Sequence, residues 1–271
     1  MSRLGGDIIY RLKGGAKPTQ SCTRSAAIVS NPQTRDYHNA SFEFLGTDYF
    51  STPTVQDFGI SNAFTLNIWL LPRDISLSNG NPQTICRFGL TVIAASLNTL
   101  SLRIEQQPGD VESFFSVSLR SNSGVLIKSF RIAANSFFTS SNVWSMLTIT
   151  WNGSSFLVYK NGVNETSNFT VLSNLNGSLS NLGLFLSVGA NENGNELFTG
   201  VIHQLTLWSE ALNQDAIRTI WGKGSGNVVL NVQQDGYVSQ NKLEAWYLAG
   251  KNIDSPFFDF SLNGRDLVFS S

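Results

Sequence analysis

The sequence predicts an antiparallel β-sandwich with one short helix, and three observations lead there. Apolar and polar residues alternate in short segments from about residue 40 onward. Asn-Gly pairs and clusters of Ser, Thr, Asn and Gly punctuate those segments, while only one stretch has helical spacing. Composition is the third: 41% of residues are hydrophobic and only 14% charged, against roughly 25% charged in an average domain. A surface of neutral hydrogen-bonding groups fits a solvent-exposed β protein. At 271 residues, an all-β chain need not divide into two domains.

Residues 1–39 read as an N-terminal arm. "RLKGGAKPTQSCTRSAAIVSNPQTRD" has Gly, Pro, Ser and several cations with little periodicity, and one short strand is expected around Ile8–Leu12. The sandwich then occupies residues 40–271. "SFEFLG" puts Phe42 and Phe44 on one face, and "FTLNIWLL" turns Phe64, Leu66, Ile68 and Leu70 inward against Thr65, Asn67 and Trp69. "LSLRIEQ" and "SFFSVSL" alternate less cleanly. In "SMLTITWNGSSFLVYKNGV" two strands meet at Asn152-Gly153, a pair suited to a type I′ turn because both central residues need positive φ. Asn161-Gly162 offers a further turn. "LGLFLSVGA" and "GVIHQLTLW" add two strands, and strict alternation in the second puts His203 with Val201, Leu205 and Leu207, toward the core. The helix follows Leu212: Asn213 is its N-cap, Ile217, Ile220 and Trp221 repeat on one face, and Gly222 stops it.

Bulk properties exclude some function classes. A net charge of -1 without any basic block argues against nucleic acid as a partner. No apolar run is long enough to span a bilayer, so no membrane insertion is expected. "MSRLGGDIIYRLKGG" lacks a signal-type apolar region, so synthesis in a cytoplasm is expected. Cys22 and Cys86 read as two reduced, buried thiols, with a single disulfide as the alternative. The sequons at Asn39, Asn152, Asn164, Asn168 and Asn176 read as turn residues.

The sequence offers none of the usual constellations of a catalytic site. Retaining glycoside hydrolysis needs two carboxylates about 5 Å apart, but no E-x-D-x-x-E occurs, and Glu105, Asp110 and Glu112 are separated by the loop-like "QQPG". There is no G-x-S-x-G elbow, and His38 and His203 are the only imidazoles. "GKGSGN" follows a helix instead of leading into one, so its amides are not placed to cradle phosphate. No catalytic residue is therefore assigned and no enzyme is expected. Trp69 and Trp151 are expected in the core, where large rings contribute most burial. Oxygen groups gather in the tail, where Asp254, Asp259, Asn263 and Asp266 surround Gly264. They offer a cation or sugar-hydroxyl site, or else turns in which Asp and Asn cap their own backbone.

The order of three segments carries a resemblance: "ASFEFLGTDYFSTPTVQDFGISNAFTLNIWLLPRD", then "VWSMLTITWNGSSFLVYKNGV", then "FTGVIHQLTLWSEALNQDAIRTIWGKG". Over roughly residues 40–226 the chain resembles the laminin-G-like, concanavalin-A-like jelly-roll superfamily of lectins and glucanases. The tail "LEAWYLAGKNIDSPFFDFSLNGRDLVFSS" follows the jelly roll, an arrangement similar to that of bacteriophage virion proteins. The resemblance also implies a structural calcium held by an acid early in the terminal strand. His203 stands at that position, and imidazole is a poor calcium ligand, so no metal or cofactor is expected.

What the resemblance implies is a non-enzymatic virion structural protein: a capsid decoration, fibre or tail-associated subunit. Such a subunit would be made in the host cytoplasm and sit on the virion surface. Its partners would be other virion proteins and further copies of itself. The arm, with Arg3, Arg11, Lys13 and Lys17, would anchor it by ordering on a partner. The alternative is a carbohydrate-binding module that attaches to host cell-surface glycans.

Overall fold

Strands with one apolar face bury it when two sheets close on each other. The structure, a computed structural model, has that arrangement. It describes residues 8–11, 40–54, 56–60, 62–77, 80–92, 95–139, 143–179, 185–222, 230–233, 236–249, 257–261 and 263–270.

The first half of the chain supplies β1 (Ile8–Arg11), β2 (Ala40–Leu45), β3 (Tyr49–Ser51), β4 (Phe64–Pro72), β5 (Gln83–Val92) and β6 (Ala95–Glu105). Next come β7 (Phe114–Arg120), β8 (Leu126–Ala133), the one-turn helix α1 (Ala134–Phe137), β9 (Ser145–Trp151) and β10 (Phe156–Lys160). They are followed by β11 (Val163–Asn164), β12 (Thr170–Asn174), β13 (Phe185–Val188), β14 (Thr199–Trp208) and α2 (Gln214–Trp221). The tail forms β15 (Leu243–Ala249), β16 (Phe257–Asp259) and β17 (Val268–Ser270).

The first sheet runs β1-β2-β14-β4-β9-β10-β11, with β15 on β14 and β16 on β15. The second runs β12-β8-β7-β6-β5-β13-β3-β17. Neighbouring strands are antiparallel throughout, apart from the parallel pair β1–β2. The expected all-β sandwich is therefore present. The tail is woven into both sheets, because β15 and β16 extend the first while β17 closes onto β3 in the second.

Phe64, Leu66, Ile68 and Leu70 of β4 point between the sheets, as their alternation requires, and meet Phe88, Leu102 and Val117 in the core. Trp151 is fully buried there too. The opposite face of the first sheet is also covered. Trp69, Met146, Trp208 and Trp246 pack under Ile217 and Ile220 of α2, and Trp69 stacks on Trp221 with ring centroids 5.0 Å apart. Both expected caps hold α2: the Asn213 side chain accepts from the Ala216 N–H at 2.9 Å, and Gly222 is left-handed at φ 51°.

Two expectations change. At Asn152-Gly153 the strands join through a wider loop: Asn152 Oδ1 accepts from the amides of Ser154 and Ser155, an Asx turn. The type I′ geometry lies instead at Asn161-Gly162, with φ of 53° and 78°. His203 departs from the expected alternation, because the β14–β4 register skips from Ile202 to Gln204. His203 is thus the extra residue of a β-bulge. Ile202, Leu205 and Leu207 face the core while Val201 does not join them. The imidazole lies 3.5 Å through Nδ1 from Ser41 Oγ and meets the Trp144 ring edge-on. The short strand expected in the arm is present as β1, which pairs with β2 from Ile8↔Ala40 to Arg11↔Glu43.

Candidate functional site

Covering one face of the first sheet leaves the outer face of the second as the site to be read. Since Phe88, Leu100, Leu102, Val117, Leu119 and Phe130 point inward, their strand neighbours must point out. Register aligns those neighbours into rows. One row runs Ser187↔Arg87↔Ser101↔Ser118↔Ser129 across β13, β5, β6, β7 and β8. A second runs Thr84↔Arg103↔Ser116↔Arg131 from β5 to β8. Strands about 4.8 Å apart thus present hydroxyls and guanidiniums at regular spacing on a rigid floor.

The arginines are held by carboxylates, several from loops. Arg87 Nε pairs with Glu192 at 2.7 Å. Arg103 bridges two acids, Glu105 at 3.0 Å and Glu196 at 2.8 Å. Glu196 also accepts from Thr84 Oγ1 at 2.6 Å. Arg131 lies 3.2 Å from Asp110 and 4.3 Å over the Phe114 ring centroid. Arg120 instead donates to the Gly124 carbonyl at 3.0 Å. Burial lowers the Arg87 pKa from its ordinary value; Glu192 and Glu196 oppose that shift, and Arg103 and Arg120 add to it.

Two features mark this face as more than a filled surface. Glu196 has φ 57°, a left-handed conformation that a non-glycine residue adopts at a cost of about 1–2 kcal/mol. Ser101 Oγ and Arg103 Nε are buried without hydrogen-bond partners among the described residues, although buried polar atoms normally have them. Meanwhile Arg103 stays 30% exposed and Arg131 25%, so solvent and ligand can reach the edges of both guanidiniums.

The residues singled out from sequence lie elsewhere. Asp259, Asn263 and Asp266 do come together, in one self-bonded turn. The buried Asp259 carboxylate accepts from the amides of Trp246, Ser261 and Arg265, and Asp266 accepts from the Asp259 amide. Asn263 Nδ2 donates to the carbonyls of Leu243 and Glu244. Arg11 ends β1, while Asp254, Arg3, Lys13, Lys17 and Cys22 lie outside the described residues, as does most of "GKGSGN". Cys86 is fully buried between the sheets, and burial pushes its thiol pKa up. Among the described residues, no cluster of three or more His, Cys, Asp or Glu could hold a metal.

Sequence reading missed Arg87, Arg103, Arg131, Glu192 and Glu196. A signal was present: "SLRIE", "SVSLR" and "KSFRI" each set Ser and Arg two apart among core residues, placing both on the outer face.

Comparison with known proteins agrees with this architecture. The sequence profile of the concanavalin A-like lectin/glucanases superfamily matches residues 44–218. The chain belongs to this superfamily. Among solved structures, it is similar to a heptameric SAP-like pentraxin from Limulus polyphemus, at 14% identity and TM-score 0.49, over 85% of this chain and 94% of that one. A protein of Bacteroides ovatus, provisionally named as carbohydrate-binding, matches at 14% identity and TM-score 0.50. That match covers 85% of this chain and 60% of the other. The binding domain of botulinum neurotoxin serotype D is 18% identical at TM-score 0.45, over 60% of this chain and 36% of that one. At such identities the likeness is one of superfamily fold. No curated protein matches the sequence.

Proposed function

We propose that this superfamily member is a non-enzymatic binding protein whose second sheet receives a carbohydrate on its outer face. The observation that carries the reading is the pair of aligned rows of hydroxyls and guanidiniums, whose arginines are held by carboxylates from outside the rows. Sugars present vicinal hydroxyls that both donate and accept, and such rows offer complementary groups to each. The strained Glu196 and the unpartnered Ser101 hydroxyl add support, since both are costs that a ligand would offset. The fold shared with the Bacteroides ovatus protein points the same way. A hydrolytic reading fits poorly, because the Arg103 guanidinium fills the space between Glu105 and Glu196, where a scissile bond would need to lie.

The test is a glycan array with the wild-type chain and Arg103→Gln. Binding in the wild type that is lost in the variant is the expected result. A blank array for the wild type would overturn the reading, and release of reducing ends from bound polysaccharides would overturn its non-enzymatic part.

For the setting, we infer the surface of a bacteriophage particle, where such a face would meet host cell-surface glycans. One observation favours it: the tail after the jelly roll completes both sheets, so it belongs to the same module. This matches the order of elements in the virion proteins that the sequence resembles. Other virion proteins and further copies of the chain are then its partners, and residues 1–39 its anchor. Electron microscopy of purified particles tests the setting, and absence of the protein from them would refute it. Normal incorporation of a chain lacking residues 1–39 would refute the anchor.

A further inference from the structure

The open face is uneven in charge. Near the loop that bears Glu192 and Glu196, the guanidiniums of Arg87 and Arg103 meet carboxylates at 2.7 Å and 2.8 Å. Toward the β7–β8 turn the balance changes. Arg120 ends β7, donates to the Gly124 carbonyl of that turn, and has no carboxylate partner among the described residues. Two residues earlier on the same face stands Ser118, which is opposite Ser101, and Ser101 is opposite Arg87. These four side chains bound one patch across β5, β6 and β7. At its floor, Ser101 Oγ is buried without a partner among the described residues, in a residue only 6% exposed. Gly89, just beyond Arg87 on β5, brings no side chain to fill the space.

A neutral sugar would satisfy the Ser101 hydroxyl but leave the free guanidinium N–H groups of Arg120 to water. An anionic group satisfies both at once, and planar carboxylates match the guanidinium fork. We propose that the patch formed by Arg87, Ser101, Ser118 and Arg120 is a subsite for an acidic sugar residue, with Arg120 receiving its carboxylate. The inference rests on the carbohydrate reading and names the class of sugar that reading leaves open. The recognised chemistry is a sugar carboxylate, whether of a uronic acid or of a sialic acid.

The experiment uses the full chain on an array of glycans bearing glucuronic, galacturonic or sialic acid, each beside its neutral methyl ester. Titration calorimetry on the best pair then measures the preference. Charge-assisted hydrogen bonds predict that the acid binds about 10-fold more tightly than its ester, and less so at high salt. Arg120→Gln should reduce the acid to the level of its ester, and Arg120→Lys should keep part of the preference. Ser118→Asp leaves Arg120 and its turn contact in place but puts a carboxylate beside it, and should abolish the preference for acid over ester. Equal binding of acid and ester by the wild type, or a preference that survives both Arg120→Gln and Ser118→Asp, overturns the subsite and leaves the carbohydrate reading standing. Failure of every glycan to bind the wild type overturns both.

Discussion

Tyr237 and Tyr247 are both fully buried, yet the same substitution should move stability in opposite directions. The Tyr237 hydroxyl donates to the Leu230 carbonyl at 2.8 Å and accepts from Trp208 Nε1 at 2.9 Å. Tyr237→Phe removes both bonds and strands a buried indole N–H, which should cost about 2–3 kcal/mol. The Tyr247 hydroxyl has no hydrogen-bond partner among the described residues. Tyr247→Phe deletes an uncompensated polar group and should be neutral or stabilise by up to about 1 kcal/mol. Urea unfolding followed by far-ultraviolet circular dichroism reads both, and unchanged slopes would confine the effect to stability. An alkaline series adds a second readout. Burial, with a smaller contribution from Glu210, pushes the Tyr237 pKa up to about 12 against a hydrogen bond to Trp208 that lowers it. Between pH 10 and 12 the native state therefore keeps a proton that the unfolded chain has released. That contribution is whole below pH 10 and declines through pH 12, by about 1.4 kcal/mol per pH unit. Tyr237→Phe should make the decline shallower. Equal losses in the two variants would refute the reasoning, since they would show that hydrogen bonding does not distinguish the two hydroxyls.

Asn213→Ala removes the α2 cap and should cost about 1 kcal/mol in the same unfolding assay. Gly189→Ala is expected to be worse, at about 2 kcal/mol or more: φ is 87° and the new methyl would sit 2.4 Å from the Phe44 ring, which a thermal melt would reveal. Arg103→Gln should cost under about 1 kcal/mol, because the side chain is 30% exposed and its ion pairs are screened, so lost glycan binding would not be a folding artefact. Deleting His203 should still give a cooperatively melting protein, since Ile202 and Gln204 already pair with consecutive residues of β4 and Leu205 and Leu207 keep the core face without the bulge, and a thermal melt abolished by the deletion would refute this reading of the register.

How far the sequence could be read depended on how local the determining physics was. β4 was legible because its alternation is unbroken, and α2 because Asn213 and Gly222 act on their own helix. The hairpin type was not, because an Asn-Gly pair suits either a type I′ turn or a loop closed by the Asn side chain. At Asn152 the side chain captures two amides and the second outcome results. The candidate site was less legible again. Each Ser-x-Arg pair is visible in its own strand, but the rows exist only once register is known. Glu196 reaches Arg103 from a position 93 residues away, and no local pattern announces that meeting.

The bulge at His203 answers a question of architecture. Along one edge, β14 pairs with β2 from Thr199 to Ile202 and with β15 from Gln204 to Trp208. His203 is the residue between the two ladders, and it is also the residue that β4 skips on the other edge. A strand that changes partners midway must adjust its twist, and a bulge supplies local twist by setting two residues against one. Ser41, at the near end of β2, contacts the imidazole at that junction. Because the second partner is the tail strand, the bulge and the incorporation of the tail are two sides of one arrangement. The position that the resemblance assigns to a calcium ligand is here the bulge residue between the two ladders.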